Sequence, residues 1–366
     1  MYSTESKRSN HNDLSCVTLP KSMQHIRAFN TSFPAPVHST GFHKNLLPQQ
    51  LLTAYSMIPT EPNIEMKKQH NHITVHIINA FTDNNTGGNP AGVVLNADNL
   101  SNADKLAIAG KAGLSETAFV SRSETAAFKL DFFTPVRQIA HCGHATIAVF
   151  SHLKQSGLIE DVRSSKETID GNRNILYKGE AAFMEQKAPR FTDIPDHSQS
   201  ILDALGLTDE DLIPGRSVSI VNTGNSFMIV PVRNTEILRN ISPDLDTIHH
   251  ISEIFDLIGF YVFTTETAQQ GRDANARMFA PRYGITEESA TGMAAGPLAC
   301  YLYKELNIRK DHFLIEQGWL MPEASPSLII VDLDVQHGEI TGLMAGGKGN
   351  LSATTIIDIP FQQTGM

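Results

Sequence analysis

Short apolar stretches, some alternating and some continuous, recur from about residue 72 to 350, and Gly, Asn and Pro separate them. Val75-His76-Ile77-Ile78-Asn79-Ala80-Phe81 reads as a first strand, Thr86-Gly87-Gly88-Asn89-Pro90 as a tight turn, and Ala91-Gly92-Val93-Val94-Leu95 as a second strand. Ser101 with Asp104 three residues on predicts a capped helix start. Leu106, Ala107 and Ala109 form its expected inward face, and Gly113 its stop. Further strands are expected over 117–120 and 128–132. The helix opened by Gly143 should run to about Gly157. Ile147, Ala148, Val149, Phe150 and Leu153 surround its axis, so it is expected to be buried on most sides.

The second half repeats this order. Residues 221–230 read as strand, glycine turn and strand, 244–257 as helical, and 260–264 and 276–279 as strands. A second enclosed helix is expected from Gly292 to about Leu306, with Pro297 in its first turns, where proline is best tolerated. Residues 328–331 and 339–343 look like closing strands. Gly346-Gly347-Lys348-Gly349 lacks the P-loop spacing and reads as a turn. Many strands with one enclosed helix per half indicate an α+β duplication, not a βαβ alternation. Residues 1–65 are polar and aperiodic, and read as a disordered leader or as a start placed too early, with Met66 the alternative start.

The two halves share one device. Phe133-Thr134-Pro135 is followed eight residues after the proline by Gly143-His144-Ala145, and Phe279-Ala280-Pro281 eleven residues after its proline by Gly292-Met293-Ala294. Each is a strand end, a loop and a glycine opening a helix. The first N–H groups of a helix lack intrahelical partners, and the helix dipole favours negative charge there. Two such starts suggest a cleft that holds a small carboxylate between them.

The 366 residues suffice for two medium domains. A net charge of −10, from 29 basic and 39 acidic residues, argues against nucleic acid as the main partner. Cys16, Cys142 and Cys300 form no C-x-x-C, which argues against a disulfide framework or structural zinc and for a reducing compartment, the cytoplasm. No apolar run approaches 18 residues, so no membrane-spanning helix is expected.

Glu116 stands where a helix–loop returns to a buried strand, and apolar neighbours should move it toward the acid–base range. The bland alternative is a solvated turn glutamate. His144, at the first helix start, could bind substrate or relay protons, or simply hydrogen-bond as an end residue. Glu287 and Glu288 read by default as carboxylates favoured near a helix N-terminus; Glu288 gains interest only if the two helix starts face each other. Cys142 beside a helix start is a candidate low-pKa thiolate, but Thr291 stands at the equivalent place in the second half. Cys300 reads as core. The spacing His141-Cys142-Gly143-His144 matches no common metal-ligand pattern, so no metal is expected.

Taken together, Phe81 through Gly88-Asn89-Pro90-Ala91, Ser115-Glu116-Thr117-Ala118-Phe119, Phe133-Thr134-Pro135, Cys142-Gly143-His144-Ala145-Thr146, Ala290-Thr291-Gly292, Gly296-Pro297-Leu298 and Glu316-Gln317-Gly318 resemble the PhzF family, named for a phenazine-biosynthesis isomerase. The resemblance implies a two-lobed α+β fold like that of diaminopimelate epimerase. Each lobe would be a curled, mostly antiparallel sheet around a central helix: 72–185 with 345–366, and 186–344. It implies a homodimer, no cofactor, and an isomerase acting on a small cyclic carboxylate in the cleft. Glu116 matches the family's proton-shuttling glutamate and His144 its active-site histidine. Glu288 stands where an aspartate is usual and Met293 where a serine is usual, and 321–327 lacks the family's Gly-Arg before Pro-Ser. Gly143, Gly292, Met293 and Ser115 are the expected substrate-binding positions beside catalytic Glu116, His144 and Glu288. Two other readings remain open: an epimerase or racemase using Cys142, and a non-catalytic ligand-binding protein of this fold.

Overall fold

The structure, a computed structural model, describes residues 70–360; the leader expected at 1–65 lies outside the described residues. The strands in chain order are β1 (His70–Ala80), β2 (Asn89–Val94), β3 (Thr117–Ser121), β4 (Phe128–Phe133), β5 (Gln138–Ile139), β6 (Arg163–Thr168), β7 (Gly171–Lys178), β8 (Ala181–Lys187) and β9 (Arg190–Asp193). They continue as β10 (Ser219–Asn222), β11 (Ser226–Pro231), β12 (Gly259–Thr264), β13 (Ala274–Ala280), β14 (Ile285–Glu288), β15 (His312–Gln317), β16 (Ser327–Gln336), β17 (Glu339–Gly347) and β18 (Gly349–Pro360). The helices are α1 (Asn102–Ala112), α2 (Gly143–Gln155), α3 (Ser198–Asp203), α4 (Thr235–Asn240), α5 (Leu245–Ile254) and α6 (Gly292–Lys304).

The pairing repeats. In the first half β1 runs antiparallel to β2, β2 parallel to β3, β3 antiparallel to β4 and β4 parallel to β6, and β6–β7–β8 form a meander. In the second half β10 runs antiparallel to β11, β11 parallel to β12, β12 antiparallel to β13 and β13 parallel to β15, and β15–β16–β17 form the equivalent meander. β5 caps β4 as β14 caps β13, and β18 pairs with β1 as β9 pairs with β10. A helix connection covers each parallel step, as parallel neighbours require: α1 before β3, α4 and α5 before β12, α2 before β6 and α6 before β15. Antiparallel pairing of β8 with β17 joins the halves into one hydrogen-bonded sheet. The α+β duplication expected from the two Phe-x-Pro devices is therefore the architecture.

Each half wraps a central helix. Every residue of α2 from Gly143 to Leu153 is buried, and α6 is buried at Gly292 and from Ala294 through Tyr303. Their all-round apolar sequences fit this, since a helix with no polar face has no face to leave in water. Helix α1 starts on the capping box expected at Ser101 and Asp104 and ends at Gly113 in the left-handed region. Its inward stripe is Lys105, Ile108 and Ala109, and Ala107 is exposed, contrary to expectation. The buried Lys105 ammonium, 2.5 Å from Asp131 Oδ2, fixes which side of the helix turns inward.

Two further expectations are corrected. The Gly346–Gly349 segment is not a turn: β17 runs through Gly347 and β18 begins at Gly349. Its glycines serve close packing, because a Cβ at Gly346 would fall 2.2 Å from Ala182 O on β8 and one at Gly347 2.8 Å from the Phe81 ring. Glu287 is not a helix cap. It lies in β14 and takes a bidentate pair from Arg277, both contacts at 2.8 Å, with both side chains about nine-tenths buried. Arg277 Nη1 also donates to the carbonyls of Leu238, Arg239 and Ile241 at the end of α4. Arg277→Leu leaves the Glu287 charge buried without its partner. Urea unfolding of that variant is expected to show a loss of about 3–5 kcal/mol, and a loss below 1 kcal/mol would contradict this account of the pair.

Candidate active site

The two helix starts face each other. A Cβ at Gly143 would lie 3.0 Å from Met293 Cγ and 3.8 Å from the Met293 backbone N, and one at Gly292 would lie 2.7 Å from Cζ of Phe81. A side chain at Gly292 is therefore blocked by the Phe81 ring, and glycine at Gly143 leaves room for the Met293 side chain. Phe81 itself holds φ at 61°, a conformation unfavourable for an aromatic residue and of the kind that accumulates around functional sites. Neither N-cap, Cys142 on α2 or Thr291 on α6, caps its helix with a side-chain hydrogen bond. Both helix starts line a cavity of about 80 Å³, whose wall includes Glu116, Cys142, Gly143, His144, Glu288, Thr291, Gly292 and Met293.

His144 lies at the centre of the charged groups. Its Nε2 is 3.3 Å from Glu116 Oε2, its Nδ1 is 3.1 Å from Glu288 Oε1, and all three side chains are roughly nine-tenths buried. Burial disfavours the imidazolium, but the Cys142 sulfur and the Glu116 carboxylate more than reverse this and raise the ring's pKa well above its usual value. For Glu116, burial pushes the carboxyl up, and the charge of the His144 ring 3.3 Å away overcomes it, so the pKa falls below the ordinary value. This corrects the expectation from sequence: apolar surroundings alone would have raised it, and the buried cation beside it decides the sign. Both shifts favour an ionised carboxylate beside a protonated ring. Glu116 Oε2 and His144 Nε2 are nevertheless both buried without a completed hydrogen bond, because their contact is close but misaligned.

Glu288 does not cap α6. Its Oε1 accepts from Asn89 Nδ2 at 2.9 Å, and its Oε2 from Thr291 Oγ1 at 2.5 Å. Asn89 also donates to Ala290 O, so a residue of the first half fixes the loop before α6. Gln317 supports the same loop. Its Nε2 donates to Glu288 O, while its Oε1 accepts from Thr291 N and from the Tyr261 hydroxyl. Asn89, Thr291 and Gln317 occur in the motifs quoted above, but no sequence signal gave them these roles. Ser115 is exposed and absent from the cavity wall, unlike the other expected substrate-binding positions.

Cys142 Sγ lies 3.6 Å from His144 Nδ1. Burial raises the thiol's pKa, His144 only partly offsets this, and Glu116 adds to it, so the thiolate expected from the helix start is disfavoured. Glu116, Cys142 and His144 bring oxygen, sulfur and nitrogen donors within 4.8 Å of one another. Behind the start of α2, the buried Lys166 donates to Thr146 Oγ1 at 2.7 Å and lies 3.3 Å from His141 Nδ1. Burial lowers this amine to about 7, and burial with the neighbouring Lys166 and Arg173 holds His141 well below its usual value.

The chain was compared with known proteins. The family model described as Phenazine biosynthesis-like protein matches residues 78–349. An uncharacterized isomerase of Bacillus subtilis is 33% identical over 245 residues, covering 65% of this chain and 84% of that protein. The trans-2,3-dihydro-3-hydroxyanthranilate isomerase of Pseudomonas fluorescens is 29% identical over 289 residues, covering 76% and 96%. The crystal structure of a PhzF-family protein from Bacillus anthracis superposes with a TM-score of 0.71 at 27% identity, covering 78% of this chain and 99% of that one. With the duplicated fold, the facing helix starts and this match over most of the described residues, the chain belongs to the phenazine biosynthesis-like (PhzF) family, whose matched relatives are named isomerases.

Proposed function

We propose that this protein is a cofactor-independent isomerase of a small carboxylate, in which Glu116 moves a proton between two carbons of the bound substrate. One observation carries the reading: Glu116 Oε2 and His144 Nε2 are buried in the cavity wall, 3.3 Å apart, and free of a completed hydrogen bond. The low pKa keeps Glu116 deprotonated and able to accept the first proton. The uncapped starts at Gly143 and Gly292 hold the substrate's anionic group and the negative charge that develops when the carbon loses its proton. His144, positively charged between Glu116 and Glu288, steadies that anion and orients the substrate. Glu288, locked by Asn89 and Thr291, fixes the ring in turn. Acid–base help of this kind contributes typically ~10²–10⁴-fold, and positioning with anion stabilisation supplies the rest.

The reading includes a homodimer in the cytoplasm. Among the described residues no helix is long and apolar enough to cross a membrane. The test is proton NMR in D₂O with a panel of unsaturated, hydroxy and amino carboxylates that includes trans-2,3-dihydro-3-hydroxyanthranilate, the substrate named for the Pseudomonas fluorescens relative. The expected result is enzyme-dependent deuterium at a carbon of one panel member, together with a shifted double bond. Binding without exchange at any carbon would sink the proton-shuttle reading.

A further inference from the structure

The cavity around Glu116 is too small for most of the acids it might act on. At about 80 Å³ it has room for little more than a carboxylate and a few carbons, whereas small-molecule sites commonly span ~300–1,000 Å³. Beside it lies a second cavity of about 430 Å³ that no catalytic role uses. The two share two wall residues, His141 and Met293. Met293 fills the space over the start of α2, its Cγ packed on Gly143, while its Sδ accepts from Asn225 Nδ2 at 3.5 Å on the chamber side. The partition between the cavities is thus an unbranched side chain with several rotatable bonds, which can move without disturbing the backbone. The chamber wall carries Arg173 and Lys187 together with Asp170 and Glu185. No ion pair among the described residues engages any of the four; Asp170, Glu185 and Lys187 are exposed, Glu185 Oε2 accepts from Asn174 Nδ2 at 2.8 Å, and Arg173 Nη1 donates to Asn172 O at 2.9 Å.

We propose that Met293 is a movable partition, and that the substrate is an elongated carboxylate whose α-amino-acid end occupies this chamber while its other carboxylate lies between the helix starts. Two cations and two anions without ion-pair partners match a group carrying both a carboxylate and an ammonium. Met293 covers Gly143 when the chamber is empty, with its sulfur on Asn225 Nδ2, and turns off both when the chain enters, joining the two spaces. The inference rests on the proton-shuttle reading for its reacting end, but the chamber can be tested without chemistry.

Isothermal titration of the full chain with 2-aminoadipate, adipate and hexanoate reads it directly. 2-Aminoadipate is expected to bind at least tenfold more tightly than hexanoate, with adipate between them. Met293→Trp, which thickens the partition, should weaken 2-aminoadipate at least tenfold, and Arg173→Ala should remove most of its advantage over adipate. Met293→Ala should bind as tightly as wild type or better, showing that an open partition suffices. Glu116→Gln should keep this binding, and wild-type binding without exchange at any carbon tells against the shuttle alone. Equal affinity for hexanoate and 2-aminoadipate, no binding of any probe, or indifference to Met293→Trp overturns the chamber proposal.

Discussion

Glu116→Gln is expected to slow proton exchange at the substrate carbon by about 10²–10⁴-fold while leaving the fold in place. Glutamine fills the same volume on the same strand boundary but cannot take a proton from carbon. The substitution also removes the negative charge that raises His144, so the ring should titrate at lower pH than in the wild type. A histidine-resolved NMR titration checks this second effect independently of turnover. The stability profile should change on the acid side as well. Glu116 has a folded-state pKa below its usual value of 4.5, so its contribution is present above that value and is lost as pH falls through the folded pKa. The variant should lack that part of the acid loss. Exchange within threefold of wild type would remove Glu116 from its assigned role.

The second large effect belongs to a residue outside the cavity. Lys166→Met is expected to stabilise the protein at pH 7 by roughly 1–4 kcal/mol, the range seen when well-packed apolar side chains replace buried charges. Lys166 is fully buried, and its amine is lowered from 10.5 to about 7. Between those values the unfolded chain holds a proton that the folded chain has released, so this residue makes stability rise with pH from about 7 to 10.5. His144 acts in the opposite sense. Its raised pKa gives stability that is complete below 6.5 and is lost as pH rises through the folded value. The readout is therefore the difference between wild type and variant in urea unfolding at pH 6, 7, 8 and 9. That difference should shrink as pH rises. A constant difference, or a destabilised variant at pH 7, would contradict the burial account. Thr146 still donates to Cys142 O in the variant, so no polar atom of α2 is stranded by the change.

Much of the fold is legible in the chain because it rests on local patterns. The all-round apolar runs after Gly143 and Gly292 have no polar face, so burial as central helices was the only stable outcome. Ser101, Asp104 and Gly113 encode a start and a stop through hydrogen bonds within a few residues of one another. The two Phe-x-Pro devices encode a repeated unit, and the strand pairing repeats with it. Glu116, His144, Gly143, Gly292 and Glu288 were readable as candidates because each lies in, or just before, one of these local signals.

Tertiary structure decided what each candidate does, because charge and packing act across the fold. The direction of the Glu116 pKa depended on a histidine 28 residues away on another element, which the motif around Glu116 does not contain. Glu288 was separated from Glu287 by side-chain direction: one turns toward His144 and Asn89, the other toward Arg277. Cys142 follows the local rule for a helix start, yet desolvation outweighs the dipole there. Gly346 and Gly347 look like turn residues in sequence and instead lie in strand β17 where it pairs with β8 and packs on Phe81, a contact with no local signature. The sequence by itself determined two like halves, each with a glycine-opened buried helix. Only folding determined that the two openings meet, because burial, charge pairing and backbone approach are properties of neighbours in space.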